Sequence, residues 1–288
     1  MAIKRIKFLP YYLMIVPALV VVGMFFIYPL GQVLYLSFFS YSPIFGKKFL
    51  GFTAYYRVLS DEVFIATVLR SLVYVIAVVG ANLIIGMGYA LLTYKAAKGI
   101  KILRTILIMP MLFIPAAAAV TWNLLYEVEI GLINHFLTSI GLKPMMWLAS
   151  AKTAFLAVII TDIWAWTPWT YLVLLAGLES LPSEPMEAAE VDGATSVQRI
   201  WYLVLPMLKP VISIAIVIKS LDAFRTFVYM WIMTRGGPGE STHVLSTLIF
   251  SRAFRHFEYG MGSTMAVITL LIAFAMSAAL MRVFKEGT

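Results

Sequence analysis

Six long apolar stretches constrain this chain more than any other feature of its sequence. A helix needs about 20 predominantly apolar residues to span a bilayer, and each stretch reaches that length. Most of the chain must therefore lie in lipid, and we predict an all-α, polytopic membrane protein with six transmembrane helices. The predicted spans are Tyr11–Phe38, Ser71–Tyr94, Ile106–Tyr126, Ala154–Leu178, Pro210–Met233 and Thr264–Phe284.

The composition includes too few polar residues for a large domain outside the membrane. Hydrophobic residues make up 62% of the 288 residues and charged residues only 12%, whereas soluble domains carry roughly 45–50% apolar and about 25% charged residues. We therefore expect a single transmembrane domain over residues 1–288, with its core at about 71–284. The net charge is +8, and because basic residues flank membrane helices, the expected contact is lipid, not nucleic acid.

The connection between the second and third spans gives the clearest signal for orientation. Lys95, Lys98, Lys101 and Arg104 lie there without any acidic residue, and cytoplasmic loops are enriched in basic residues. Over the whole chain the bias is weak. We predict that this connection and both termini are cytoplasmic, in a multi-pass protein of the cell (inner) membrane.

Sequence patterns typical of enzymes and metal sites are missing. The chain has no cysteine and three scattered histidines, and it contains none of the patterns GxxxxGK[ST], HExxH or GxSxG. An enzyme that works inside the membrane through Asp162 and Asp222 is an alternative, but no nucleophile is paired with a base. We predict no catalytic residues, no metal and no cofactor in this chain.

The one long cytoplasmic loop, Leu181–Pro210, has the pattern of two short helices around a glycine. Ser183 stands where a side chain caps the first helix, Gly193 can adopt backbone angles that other residues avoid, and Pro206 is expected to end the second helix. Such a helix usually docks on a partner. A connector that rests on the bilayer is the alternative, which five acids ahead of Arg199 disfavour.

This loop also carries a family resemblance. Glu187-Ala188-Ala189, then Asp192-Gly193-Ala194 and Leu205-Pro206, resemble the EAA loop of ATP-binding-cassette importer permeases. Other elements resemble the carbohydrate branch of that family, and within it the larger membrane subunit of the maltose transporter. These elements are Gly51-Phe52 with Tyr55, Thr234–Gly239 with Thr242, Ala253-Phe254 and Tyr259-Gly260.

The resemblance implies a division of labour among several subunits. This chain would form half of the translocation pathway of a binding-protein-dependent carbohydrate importer, and a second permease subunit would complete it. An extracytoplasmic solute-binding protein would deliver the solute, and a cytoplasmic ATPase dimer would bind ATP-Mg. The ATPase would grip the coupling loop, residues 179–206, at Glu187, Ala188, Ala189, Asp192 and Gly193.

Two helix faces carry polar and aromatic residues at membrane depth. A charge there costs roughly 2.5–3.5 kcal/mol even on insertion scales, so it faces a cavity or a partner. Carboxylates accept hydrogen bonds from sugar hydroxyls, and tryptophan rings suit the apolar face of a sugar. We expect these faces to line one solute cavity, where the resemblance also places sugar contacts. They comprise Asp162, Trp166 and Trp169 on the fourth helix, and Lys219, Asp222 and Thr226 on the fifth.

Two other interpretations of these residues remain open. Lys219 and Asp222 could form a pair that only stabilises the helix bundle, with Trp166 and Trp169 packed beside it. Alternatively, Lys219, Asp222 and Asp162 could relay protons in a proton-coupled secondary transporter. The capped loop favours the importer over the secondary transporter, because the latter has no ATPase to bind.

Overall fold

The computed structural model describes residues 9–94 and 100–285. The described chain is a succession of helices with one β-hairpin. Short π-helical turns lie at Gly23–Ile27, Ile200–Val204 and Ser251–Arg255, and Met109–Leu112 forms a 3-10 turn. The elements are α1 Leu9–Val22, α2 Tyr28–Leu36, β1 Phe39–Ser42, β2 Gly46–Phe49, α3 Thr53–Leu59, α4 Glu62–Thr93, α5 Ile100–Ile108, α6 Pro115–Leu125, α7 Leu132–Ser139, α8 Ala154–Glu179, α9 Glu184–Val191, α10 Ser196–Arg199, α11 Leu205–Phe224, α12 Val228–Met233, α13 Leu245–Phe250 and α14 Tyr259–Lys285.

Five helical segments among the described residues are long and apolar enough to cross a membrane. A sixth crossing results if the bent pair α5 and α6 counts as one span. The prediction of an all-α membrane protein with six spans is therefore confirmed in class and in order. The five segments are Met14–Leu36, Glu62–Thr93, Ala154–Glu179, Ser196–Met233 and Tyr259–Val283.

The third predicted span is not one straight helix. Ile100–Leu112 and Pro115–Leu125 meet at an angle of 97°, so the single helix predicted over Ile106–Tyr126 was wrong. Phe113 and Ile114 between them have extended backbone angles, with ψ of 132° and 133°. Ile114 precedes Pro115, and the proline ring disfavours the α conformation in the residue before it.

The fifth predicted span differs from expectation at both ends. Pro206 does not end a helix: it lies in the first turn of α11, directly after the π-helical turn Ile200–Val204. At the other end α11 stops at Phe224 and α12 starts at Val228. Thr226 therefore lies in a non-helical link, and its predicted place on the same helix face as Lys219 and Asp222 was wrong.

The chain forms two compact units. The first comprises the described residues of Met1–Phe64 together with Ile249–Ile272, and the second those of Ile65–Leu248 together with Ala273–Thr288. In the first unit the unpredicted antiparallel hairpin pairs Phe39 with Phe49. The single domain expected over residues 1–288 stays a prediction.

The second unit has a tightly packed region beside the loop between α8 and α11. Tyr171, Leu174 and Leu178 of α8 are fully buried there, together with Leu208 of α11. Gly177 makes the approach of the two helices possible, because a Cβ atom at this position would lie 2.9 Å from Leu208 Cδ2. The two helices that carry the candidate solute site are therefore packed directly against each other.

Candidate functional site

A buried ion pair joins the two helix faces singled out by the sequence. The Nζ atom of Lys219 on α11 lies 3.0 Å from Oδ1 of Asp162 on α8, and each side chain is only 3% exposed. Buried charges need further hydrogen bonds to offset their lost hydration. Tyr74 on α4 supplies one, because its hydroxyl donates to Oδ2 of Asp162 at 2.8 Å. Three helices thus converge on one carboxylate.

A second carboxylate, that of Asp222, also lies near the Lys219 ammonium group. Oδ2 of Asp222 lies 3.5 Å from Nζ of Lys219, and the other oxygen of Asp222 accepts a hydrogen bond from Arg225 at 3.3 Å. The Trp166 ring lies with its centroid 4.8 Å from the same Nζ atom, a distance at which a cation and an aromatic ring attract each other. The Lys219 ammonium is therefore enclosed by two carboxylates and an indole.

These side chains border a cavity of about 300 Å³. Trp166 and Trp169 are half-buried and form its aromatic wall, while Asp222 has a side chain 31% exposed. A carboxylate oxygen that is within reach of the cavity can accept hydrogen bonds from hydroxyl groups. Lys219 and Arg225 contribute the cationic part of the lining.

The structure brings most, but not all, of the six predicted solute residues to this cavity. Trp166, Trp169, Lys219 and Asp222 line it. Asp162 is buried and bonded to Lys219. Thr226 lies beyond the end of α11, where its carbonyl oxygen accepts a hydrogen bond from the Ser246 hydroxyl.

Sequence reasoning missed Tyr74, which completes the hydrogen bonding of Asp162. The available signal was weak. Tyr74 is a single tyrosine within an otherwise aliphatic run of α4, and it lies 88 residues before Asp162. A phenol inside such a run usually has a hydrogen-bond partner when it is buried, but the sequence does not say which partner.

The coupling loop presents a short helix with one buried and one exposed side. Met186 of α9 is only 9% exposed and packs against the buried cluster beside Leu178 and Leu208. The residues that resemble the EAA motif occupy the rest of this helix and the turn after it. Glu187, Ala188, Asp192 and Gly193 are exposed, and Ala189 is half-buried.

The turn between α9 and α10 is held by specific contacts. Gly193 has φ of +78°, a region that residues with a Cβ atom seldom adopt. Thr195 caps α10 in a reciprocal pair with Gln198, and Arg199 reaches back across the turn to Glu190 at 2.9 Å. The predicted side-chain cap by Ser183 was wrong, since within the described residues its side chain makes no capping hydrogen bond.

A second depression lies on the surface of this loop. It measures about 370 Å³ and is lined by Asp192, Gly193, Gln198, Arg199 and Tyr202, among others. Within residues 9–94 and 100–285, no group of three His, Asp or Glu side chains is arranged to hold a metal ion.

The chain is similar in sequence to other proteins over nearly its whole length. It is 34% identical over 275 residues to the trehalose/maltose transport system permease protein MalF of Thermococcus litoralis, covering 94% of this chain and 92% of the relative. It is 30% identical over 268 residues to the sn-glycerol-3-phosphate transport system permease protein UgpA of Yersinia enterocolitica, with coverage of 92% and 90%. These findings give no support to the proton-coupled alternative.

The fold matches a solved transporter structure. A chain of a bacterial ABC transporter involved in the import of the acidic polysaccharide alginate superposes with a TM-score of 0.86 at 21% identity, over 98% of both chains. At that identity the likeness concerns the fold alone. A family model described as the inner membrane component of binding-protein-dependent transport systems matches residues 82–285. The chain therefore belongs to the family of inner membrane components of binding-protein-dependent transport systems.

Proposed function

We propose that this chain is the permease subunit of an ATP-driven, binding-protein-dependent carbohydrate importer and forms half of its translocation pathway. The observation that carries the proposal is the cavity at Trp166 and Trp169, which combines an aromatic wall with the accessible carboxylate of Asp222. Aromatic faces and carboxylate acceptors together are what a sugar ring with hydroxyl groups requires. The similarity to a trehalose/maltose permease supports the same substrate class.

Coupling to ATP hydrolysis is proposed to occur through the exposed side of the loop. Glu187, Ala188 and Asp192 would meet the cytoplasmic ATPase dimer, which would bind ATP-Mg, and Ala189 would allow its close approach. Gly193 would permit the turn that holds both short helices in place. The buried Met186 on the opposite side of α9 supports this division, because it attaches the loop to the helix core.

The proposed assembly requires both termini and the loop at 179–206 on the cytoplasmic side. Six crossings, with α5 and α6 counted as one, bring the chain back to the side on which it started. Of the four basic residues that indicate this orientation, Lys95 and Lys98 lie outside the described residues. A second permease subunit would complete the pathway and an extracytoplasmic binding protein would deliver the solute.

The decisive experiment is uptake by the complete purified assembly in proteoliposomes. We expect carbohydrate uptake to require ATP and the binding protein and to be unaffected by a protonophore. Uptake that continues without ATP and collapses with the protonophore would establish the proton-coupled alternative instead.

A matched pair of variants then tests whether the cavity serves the solute. Trp166→Ala should lower uptake while leaving solute capture by the separate binding protein unchanged. Trp164→Ala is the control, because Trp164 lies on the same helix but contacts Phe113 and Trp122. Equal losses in the two variants would mean that the cavity has no special role.

A further inference from the structure

We infer that the solute admitted by this cavity is a neutral carbohydrate and not an acidic one. The inference rests on the proposed function, since it assumes that the cavity beside Trp166, Trp169 and Asp222 meets the solute. It goes further by naming the charge class. Family membership leaves this question open, because the relatives include a trehalose/maltose permease and an sn-glycerol-3-phosphate permease.

Lys219 is the cation that by itself would indicate an anionic solute. An ammonium group has three N–H donors and no acceptor. Asp162 accepts at 3.0 Å and Asp222 lies at 3.5 Å, while the Trp166 ring takes the remaining approach. With a side chain only 3% exposed, Lys219 is paired with carboxylates inside the protein and presents little of its surface to a carboxylate or phosphate of the solute.

The charges of the whole cluster balance one another. Two cations, Lys219 and Arg225, stand against two carboxylates, Asp162 and Asp222, so the cluster has no net charge. Arg225 has a side chain 80% exposed and already donates to Asp222. An acidic sugar would therefore bring a third negative group to a cluster with two cations, and it would compete with Asp222 for Arg225. The cluster would then hold more negative than positive charge at membrane depth, which is unfavourable.

A neutral sugar meets no such conflict. A hydroxyl group can donate to Asp222 while that carboxylate keeps both of its cations, because its two oxygens together offer about four acceptor sites. The ring can lie against Trp169 or Trp166 through its C–H face. Binding of this kind leaves the ion pairs of Lys219 and Arg225 with Asp222 in place.

The experiment compares matched neutral and acidic solutes. The complete assembly, with its binding protein, is reconstituted and tested for ATP-dependent uptake of maltose, trehalose and longer glucose oligosaccharides. Each is paired with the derivative in which one hydroxymethyl group is oxidised to a carboxylate. We expect uptake of neutral members to exceed that of their acidic partners by about tenfold or more, since juxtaposed like charges are strongly unfavourable.

The two kinds of failure are distinguishable in this assay. Faster uptake of the acidic members would overturn the neutral class and leave the carbohydrate importer standing. Uptake of no member of either series, with an assembly whose ATPase responds to its binding protein, would remove the proposed function and this inference with it.

A second measurement assigns the selectivity to the cavity and not to the binding protein. The measured quantity is the quenching of Trp166 and Trp169 fluorescence by iodide and by caesium. To isolate these two residues, the signal of each protein is compared with that of the same protein carrying Trp166→Phe and Trp169→Phe. Asp222→Asn removes one negative charge at nearly constant shape, so iodide quenching should rise about twofold or more and caesium quenching should fall. Glu129→Gln, an exposed acid in the loop before α7, is the control. Strong iodide quenching that Asp222→Asn leaves unchanged would refute the charge balance.

Discussion

Breaking the buried pair between Asp162 and Lys219 should destabilise the protein far more than breaking an exposed pair of similar length. The exposed reference is Arg199 with Glu190, whose atoms are 2.9 Å apart and whose side chains are 27% and 72% exposed. The buried atoms are 3.0 Å apart with 3% exposure on both sides. Distance is thus nearly constant between the two pairs, and burial is the variable.

The expected magnitudes follow from what each variant leaves behind. Removing one partner of a buried pair costs about 3–5 kcal/mol, because the other charge stays buried without compensation. Asp162→Asn should lie near 3, since Lys219 keeps Asp222 at 3.5 Å. Lys219→Met should lie nearer 5, since Asp162 keeps only the Tyr74 hydroxyl. Changing Arg199 or Glu190 to Ala should cost about 0–1 kcal/mol.

The double variant Asp162→Asn/Lys219→Met separates charge from packing. Apolar or neutral replacements of a buried pair are often nearly neutral for stability, and Asn retains an oxygen that can accept from Tyr74. The double variant should therefore be more stable than the Lys219→Met single variant. The assay is equilibrium unfolding in mixed micelles, followed by circular dichroism.

Two outcomes would refute this reasoning. If the two single effects simply add in the double variant, Asp162 and Lys219 do not interact energetically. If the buried single variants cost no more than the exposed ones, burial does not set the strength of the pair in this protein.

Three further predictions concern the loop and the helix packing. Gly193→Val should uncouple ATP hydrolysis from uptake, since a β-branched residue resists positive φ, whereas Gly193→Asn should retain coupling; normal uptake by the valine variant would contradict this. Gly177→Val should cost about 1–3 kcal/mol by overpacking against Leu208 in the unfolding assay, and Gly80→Val, with open space around it, should cost less. Ser196→Cys, the only thiol in such a variant, should react with an impermeant reagent only after permeabilisation; labelling of intact cells from outside would reverse the topology.

The sequence predicted the number and order of the spans because their signal is local. Each span is a run of apolar residues, and its length alone decides whether it can cross a bilayer. Helical periodicity did not predict the end of α11, because no local signal marks it. Residues 225–227 contain neither Gly nor Pro, so Thr226 was predicted to lie on a helix that in fact ends at Phe224. Pro115 is evident in the sequence, but the sequence does not give the 97° angle between Ile100–Leu112 and Pro115–Leu125.

Four of the six predicted solute residues line the cavity, and the contacts among them were only partly predictable. Lys219 and Asp222 are three residues apart, and helical spacing brings them together. The closer partner of Lys219 is Asp162, 57 residues away, and Tyr74 is further still along the chain. Contacts of this kind depend on how α4, α8 and α11 pack. The sequence indicated that both charged faces line one cavity, but not that Lys219 bonds directly to Asp162.

The π-helical turn at Ile200–Val204 changes the rotation of the end of the coupling loop relative to α11, the helix that follows it. The amide of Leu205 bonds to the carbonyl of Ile200, five residues back, so the turn holds one residue more than a regular α-helix. One residue corresponds to about 100° of rotation. Deleting a single residue here would let a regular helix form and would rotate α10 by roughly a quarter turn about the α11 axis. The number of residues in this turn, as much as their identity, sets the direction in which Arg199 points to reach Glu190, and a one-codon deletion would alter that direction more than most substitutions could.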